Sequence, residues 1–141
     1  MSTPILICDD SGFARRQMAR SIPDSWEVEI SFAGNGQEAL EVIRAGKGDV
    51  VFLDLNMPVM DGYETMEAIR KEDLPCLVIV VSGDVQAQAR ERMLALGAID
   101  FIRKPIDNEK LTNILSSYGI YSGVSTAVQR EAVARDTDAS S

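Results

Sequence analysis

Short apolar runs alternate along this chain with longer segments whose apolar residues recur at helical spacing. Four of the runs contain few or no polar residues and occupy positions 4–8, 50–53, 76–81 and 98–102. Such runs are typical of strands that are buried on both faces of a parallel sheet. A fifth run, at positions 26–32, alternates apolar with polar residues, as a strand with one exposed face does. The pattern therefore predicts five strands.

Each segment that follows a strand shows the signals of a helix. Residues suited to cap a helix N-terminus open four of them, namely Ser11, Asn35, Asp61 and Asp107. A glutamate follows Asn35 and Asp61 at the third position, which is typical of a capping box or its asparagine variant. The fourth helix is expected over positions 85–96, and glycines stop three of the helices, namely Gly46, Gly97 and Gly119. The expected inward residues are Phe13, Met18 and Ile22 in the first helix, Ala39, Leu40 and Ile43 in the second, Tyr63, Met66 and Ile69 in the third, and Leu111, Ile114 and Leu115 in the fifth.

Five strands alternating with five helices predict an α/β fold with a parallel sheet covered on both faces. Right-handed crossovers leave few ways to wind such a sheet. The alternating strand belongs at an edge, which favours the order 2-1-3-4-5 of the flavodoxin-like doubly wound (βα)5 folds. We expect one domain over positions 1–121. Positions 122–141 are then a polar tail, with a short helix, a linker to an output domain and a disordered terminus as the alternatives.

Composition narrows the class of protein. The 141 residues, 45% hydrophobic and 26% charged, suit an ordinary globular domain. No apolar run is long enough to span a membrane and the N-terminus lacks a signal peptide, so we expect a cytoplasmic protein. Cys8 and Cys76 are too few for a disulfide framework and are expected to be packed thiols.

Charge and residue content exclude several kinds of chemistry. The formal net charge of -8 argues against direct binding of nucleic acid. The chain has no histidine, which excludes Ser/His/Asp and Cys/His catalysis and most zinc and iron sites. Catalysis or binding must therefore rest on carboxylates, hydroxyls, lysine and backbone groups.

Five polar residues follow or end four of the predicted strands, and they are Asp9, Asp10, Asp54, Ser82 and Lys104. The carboxyl ends of parallel strands share one edge of the sheet, so these side chains should meet there. Two carboxylates about 4 Å apart repel by roughly 4 kcal/mol at an effective dielectric constant of 20. Three therefore need cations, and Mg²⁺ with Lys104 would supply them. In such a site Asp54 could be a nucleophile toward phosphorus, with Ser82 as a hydrogen-bond donor.

These residues resemble the receiver domain of two-component response regulators, in particular the chemotaxis-regulator type, over positions 5–118. The resemblance rests on a set of motifs in this order: Asp9-Asp10, Asp54 with Met57-Pro58 and Asp61-Gly62, Ser82-Gly83, and Phe101 three residues before Lys104-Pro105. It implies a phosphorelay protein rather than an enzyme with a separate substrate. Asp54 would accept a phosphoryl group from a sensor histidine kinase, a phosphotransfer protein or a small acyl phosphate.

The resemblance also assigns roles to single residues. Asp9, Asp10, Asp54 and the Asn56 backbone carbonyl would bind Mg²⁺. Ser82 and Phe101 would form the switch pair that signals to an output domain, to a partner protein or to a second copy of the chain. Asn56 and Asp84 lie two residues past Asp54 and Ser82 respectively, and we expect them to tune the dephosphorylation rate.

Three other functions compete with this interpretation. A phosphatase of the haloacid dehalogenase type also uses an aspartate nucleophile, but after its first strand and with a second aspartate two residues later, where this chain has Asn56. A flavin-phosphate binder is disfavoured because Asp9 and Asp10 would repel the phosphate. A scaffold that has lost phosphorylation is disfavoured because all the site residues are retained.

Overall fold

Strands and helices alternate through the described part of the computed structural model, which comprises residues 2–83 and 86–121. The chain divides into two compact units. The first contains residues 2–20 and 27–106, and the second contains, among the described residues, 21–26 and 107–121. The predicted tail at positions 122–141 lies outside the described residues, so its structure stays a prediction.

The first unit is built on one parallel sheet. Its five strands are β1 (Thr3–Cys8), β2 (Val28–Ala33), β3 (Val50–Leu53), β4 (Leu77–Ser82) and β5 (Asp100–Arg103). They lie in the order β2-β1-β3-β4-β5, and every pair is parallel. The flavodoxin-like fold and the edge position of the alternating strand are thereby confirmed. The register pairs Cys8 with Leu53 and Ser82 with Arg103, so the strands end together at one edge.

The helices are α1 (Gly12–Ser21), α2 (Gly36–Arg44), α3 (Gly62–Glu72), α4 (Ala87–Ala95) and α5 (Asn108–Ser117). The predicted caps are present: the side chains of Ser11, Asn35, Asp61 and Asp107 each accept a hydrogen bond from the backbone N–H three residues on. Asp61 and Glu64 form a complete capping box. Glu38, in contrast, accepts from the N–H of Gly34 rather than from that of Asn35. None of the helices in the described ranges is long and apolar enough to cross a membrane.

The prediction that Phe13 lies on the apolar face of α1 is wrong, because its side chain is 63% exposed. The helix buries Met18 instead. Phe13 precedes Met18 by five residues, and at about 100° per residue that spacing places the two side chains on different faces. Tyr63 and Ile114, also predicted to face inward, are half-buried.

A hydrophobic core cluster of the first unit lies on one face of the sheet. Strand residues such as Leu6, Val51 and Val80 pack there with Leu40 of α2 and Met66 of α3. Both cysteines are free thiols, Cys8 buried and Cys76 half-buried just before β4. This core fixes the strands that carry the polar residues at their carboxyl ends.

The second unit has its own side-chain contacts. The rings of Trp26 and Tyr121 lie with centroids 5.8 Å apart, and the Tyr121 hydroxyl forms a hydrogen bond with the Ser25 hydroxyl. Asn108 at the start of α5 donates to the backbone carbonyl of Ser21. The predicted inward residues Leu111 and Leu115 are fully buried.

Candidate functional site

The predicted acidic residues meet at the carboxyl edge of the sheet. Asp9 and Asp10 follow β1 and Asp54 follows β3, and one carboxylate oxygen from each of the three lies within 4.8 Å of the others. Asp9 and Asp54 are only 6% and 7% exposed, whereas Asp10 is exposed. An all-oxygen set of this kind is what Mg²⁺ prefers, with water completing its coordination. The residues present therefore fit a magnesium ion.

Lys104 is the cation nearest to the buried carboxylates in the described part of the chain. Its Nζ lies 2.7 Å from Oδ2 of Asp9 and 3.8 Å from Oδ2 of Asp54. The other oxygen of Asp9 accepts from the N–H of Ser11 at 2.9 Å. Both carboxylate oxygens of Asp9 thus have a partner, and Lys104 lies closer to Asp9 than to Asp54.

The surroundings of Asp54 raise the pKa of its carboxyl group. Burial, and then the charge of Asp9, raise the pKa of Asp54 from 3.8 to about 6. Lys104 and the backbone N–H groups of Leu55 and Asn56 lower the pKa but do not offset these effects. The Leu55 N–H donates to Oδ1 of Asp54 at 2.9 Å. Asp54 is therefore a desolvated carboxylate that gains from any added cation.

A close backbone contact explains the glycine at the start of α3. A Cβ on Gly62 would lie 2.5 Å from the carbonyl oxygen of Asp54 and 2.8 Å from Cα of Leu55. The Gly62 N–H also donates to the carbonyl of Leu55 at 2.9 Å. Only glycine fits there, which gives the Asp61-Gly62 motif its physical reason. Asn56, in the intervening loop, is exposed, while Met57 is buried.

The predicted switch residues belong to the same half of the sheet. Ser82 ends β4 and is fully buried, and its carbonyl accepts from the Lys104 N–H at 2.8 Å. The ring of Phe101 packs in the core cluster and is 9% exposed. Contact between the Ser82 hydroxyl and a phosphoryl group stays a prediction. Asp84 lies outside the described residues, so its place relative to Asp54 is also a prediction.

Arg15 is a residue at the site that the sequence patterns did not single out. Its Nη1 donates to the backbone carbonyl of Asp9 at 2.7 Å. A helical side chain leans toward the N-terminus of its helix, so an arginine in the first turn of α1 reaches the loop that precedes the helix. That position, one turn after the cap residue Ser11, was the available signal.

A cavity of about 320 Å³ adjoins the carboxylates on the α1 side of the sheet. Asp9, Asp54 and Lys104 line its polar end. Its other walls are mainly apolar and include Met18 of α1 and Phe52 of β3. The apolar walls close to Asp54 are consistent with the desolvation that raises its pKa.

The arrangement of three carboxylates, a lysine and a buried hydroxyl at one sheet edge agrees with comparisons to known proteins. The sequence profile of the response regulator receiver domain matches residues 5–116. The chain belongs to this family. Receiver domains are the phosphoacceptor switches of two-component systems, so the resemblance drawn from the motifs is confirmed.

Three individual proteins illustrate how far the likeness of this receiver domain extends. It is 42% identical over 103 residues, 72% of its length, to protein-glutamate methylesterase/protein-glutamine glutaminase 1 of Syntrophomonas wolfei. The NarL signal receiver domain of Mycobacterium tuberculosis superposes with a TM-score of 0.75 at 28% identity, covering 83% of this chain and 95% of that one. The CheX-CheY-BeF3-Mg²⁺ complex of Borrelia burgdorferi gives a TM-score of 0.72 at 31% identity, covering 82% of this chain and 89% of that one.

The match to the methylesterase has a limited extent. The receiver domain spans only 29% of the length of that relative. The match therefore does not assign to this chain the activity that the relative is named for. The match covers the receiver domain, which is a regulatory domain.

Proposed function

We propose that Asp54 is the residue of this receiver domain that accepts the phosphoryl group. The observation that carries the proposal is the position of its buried carboxylate, within 4.8 Å of the Asp9 and Asp10 carboxylates and 3.8 Å from the Lys104 ammonium. A carboxylate oxygen of Asp54 attacks phosphorus and forms a P–O bond. The P–N bond of a phosphohistidine donor breaks, and its electron pair stays on the imidazole nitrogen.

The acidic residues of the site are the proposed ligands of Mg²⁺. Asp9, Asp10 and Asp54 would each supply one carboxylate oxygen, and the Asn56 backbone carbonyl a fourth. A bound Mg²⁺ neutralises negative charge on the carboxylates and the phosphoryl oxygens. A similar protein from Borrelia burgdorferi, crystallised with BeF3 and Mg²⁺, supports this assignment.

Lys104 and Ser82 are the proposed partners of the phosphoryl oxygens. Lys104 already lies between Asp9 and Asp54, so its ammonium can move from a carboxylate to a phosphoryl oxygen with little rearrangement. Ser82 ends the strand next to β3 and would donate its hydroxyl hydrogen to the phosphoryl group. Phe101, on the neighbouring strand β5, would then change its packing and carry the signal to the surface.

The partners follow from this chemistry. A sensor histidine kinase or a phosphotransfer protein would supply the phosphoryl group. The output would be a domain outside these residues, a separate protein or a second copy of the chain. A phosphatase of the haloacid dehalogenase type fits less well, because Asp54 follows β3 and the residue two positions later is Asn56.

The number of phosphoryl groups transferred per chain distinguishes a receiver domain from a phosphatase. We expect incubation of the full chain with acetyl phosphate and Mg²⁺ to add one phosphoryl group per chain, measured by intact-protein mass spectrometry. The same preparation should release no p-nitrophenol from p-nitrophenyl phosphate beyond the buffer rate. Sustained turnover of the phosphomonoester would contradict the proposal and favour the phosphatase.

The lifetime of the phosphorylated state should depend on Asn56 and Asp84. They follow Asp54 and Ser82 by two residues in the sequence, and we propose that their side chains admit or orient the attacking water. We expect Asn56→Ala and Asp84→Ala to change the dephosphorylation rate by a larger factor than the affinity for Mg²⁺. The decay of phosphoprotein after removal of the donor measures the first, and calorimetric titration the second. Identical half-lives in both variants and the wild type would exclude this role.

A further inference from the structure

We infer that Arg15 is a positioning residue that orients Asp10 for Mg²⁺ through the backbone of Asp9. The inference rests on the proposed function, because it takes Asp9, Asp10 and Asp54 as the metal ligands. Arg15 itself would touch neither the ion nor the phosphoryl group. Its contribution is the geometry of the loop between β1 and α1.

Every polar group of Asp9 is held by a partner. Its N–H donates to the carbonyl of Ala33 at 3.0 Å, and its own carbonyl accepts from Nη1 of Arg15 at 2.7 Å. Ser11 and Lys104 occupy the two carboxylate oxygens. Asp9 thus has four polar partners, and the hydrogen bond from Arg15 is one of them. Because the guanidinium is charged, this bond is stronger than one between neutral groups.

The geometry of the peptide bond transmits this constraint to Asp10. The carbonyl oxygen of Asp9 lies in one rigid plane with the N–H and Cα of Asp10. Restraining that oxygen restrains the peptide plane, and with it the position of the Cα from which the Asp10 side chain leaves the backbone. Asp10 is exposed, so packing does not orient its carboxylate as it orients those of Asp9 and Asp54.

The guanidinium lies close to the neighbouring loop. Nη1 of Arg15 lies 3.7 Å from the position that a Cβ on Gly34 would occupy. Oε1 of Glu38 lies 3.5 Å from the same position and accepts from the Gly34 N–H at 2.7 Å. Arg15 thus lies between the loops that follow β1 and β2. A half-buried arginine in such a position loses little freedom when it bonds the carbonyl.

The charge of Arg15 and its hydrogen bond to the Asp9 carbonyl predict opposite effects of its removal on magnesium affinity. A positive charge near a divalent cation repels it, so removing the charge alone should tighten binding slightly. Removing the contact should weaken binding, because outer contacts that orient ligands typically contribute about 10–100-fold to metal affinity. Arg16 provides the matched control, since it carries the same charge on the next residue and is exposed. Both guanidinium groups approach the position that a Cβ on Gly12 would take, but of the two only Arg15 has a described hydrogen bond to the Asp9 carbonyl.

The test is the dissociation constant for Mg²⁺, measured by isothermal titration calorimetry on the full chain without a phosphoryl donor. We expect Arg15→Ala to raise it about 10-fold or more. Arg16→Ala should leave it unchanged or lower it slightly. Arg15→Lys, which keeps a donor and the charge, should recover part of the affinity, and it keeps the test decisive if Arg15→Ala does not fold.

A second measurement reports on the loop without metal. In the Mg²⁺-free protein, we expect Arg15→Ala to shift and broaden the backbone amide signal of Asp10 in NMR spectra, and Arg16→Ala to leave it in place. An affinity within twofold of the wild type for Arg15→Ala, or an equal loss for Arg16→Ala, overturns the inference. A wild-type chain that binds no Mg²⁺ at millimolar concentration contradicts the proposed metal site instead.

Discussion

Asp54→Asn should take up no phosphoryl group from acetyl phosphate in the presence of Mg²⁺, whereas the wild-type chain gains one. An asparagine amide nitrogen shares its electron pair with the carbonyl, and the side chain carries no negative charge to attack phosphorus. The substitution keeps the size of the side chain, so the surrounding site is preserved. Intact-protein mass spectrometry over a time course measures the result directly.

Asp49→Asn is the matched control for this experiment. Asp49 is exposed and lies directly before β3, at the opposite end of the strand that Asp54 follows. The chemical change is the same, and labelling should continue at the wild-type rate. Labelling of Asp54→Asn would place the acceptor on another residue, and Asp9 or Asp10 would be the first to test. An unchanged mass in both the wild type and Asp54→Asn would contradict phosphorylation of the chain altogether.

Asp54→Asn should also stabilise the protein at neutral pH when Mg²⁺ is absent. The pKa of Asp54 is raised from 3.8 to about 6 by burial and by Asp9. The folded state therefore disfavours the ionised carboxylate. Protonation of Asp54 therefore stabilises the folded wild type. This contribution is fully present below about pH 4 and is lost as the pH rises through about 6. A shift of this size corresponds to about 3 kcal/mol in the free energy of unfolding.

Urea denaturation of both proteins at a series of pH values in EDTA measures this difference. We expect Asp54→Asn to be more stable by up to about 3 kcal/mol above pH 7, and the advantage to shrink between about pH 6.5 and pH 4. Added Mg²⁺ should stabilise the wild type more than the variant, because a ligand stabilises the state that binds it. Asp49→Asn serves again as the control and should follow the wild-type pH profile. A variant no more stable than the wild type at pH 7.5 would show that the ionised carboxylate of Asp54 does not destabilise the folded state.

The topology and the centre of the site could be predicted from sequence because both depend on local patterns. Wholly apolar runs and one alternating run were enough to order the five strands. Once the order was known, the shared carboxyl edge placed Asp9, Asp54 and Lys104 together. Caps such as Asp61 were predictable because their hydrogen bonds span only three residues.

The features that could not be predicted depend on three-dimensional approach. The contact between Arg15 and the Asp9 carbonyl requires the direction of one long side chain, which no periodicity fixes. The closer approach of Lys104 to Asp9 than to Asp54 depends on differences of about an ångström. The error over Phe13 has a simpler origin, because apolar character was used without measuring the angle around the helix.

The missing side chain of Gly62 has a mechanical consequence. The carbonyl of Asp54 occupies the space that a Cβ would take, and the Gly62 N–H is tied to the next carbonyl along. The backbone of Asp54 and the first turn of α3 are thus in close contact, and the Asp54 backbone cannot move toward α3 without displacing it. The first turn of α3 therefore serves as a fixed stop, and displacement on phosphorylation is expected to pass toward β4 and β5, where Ser82 and Lys104 meet the site.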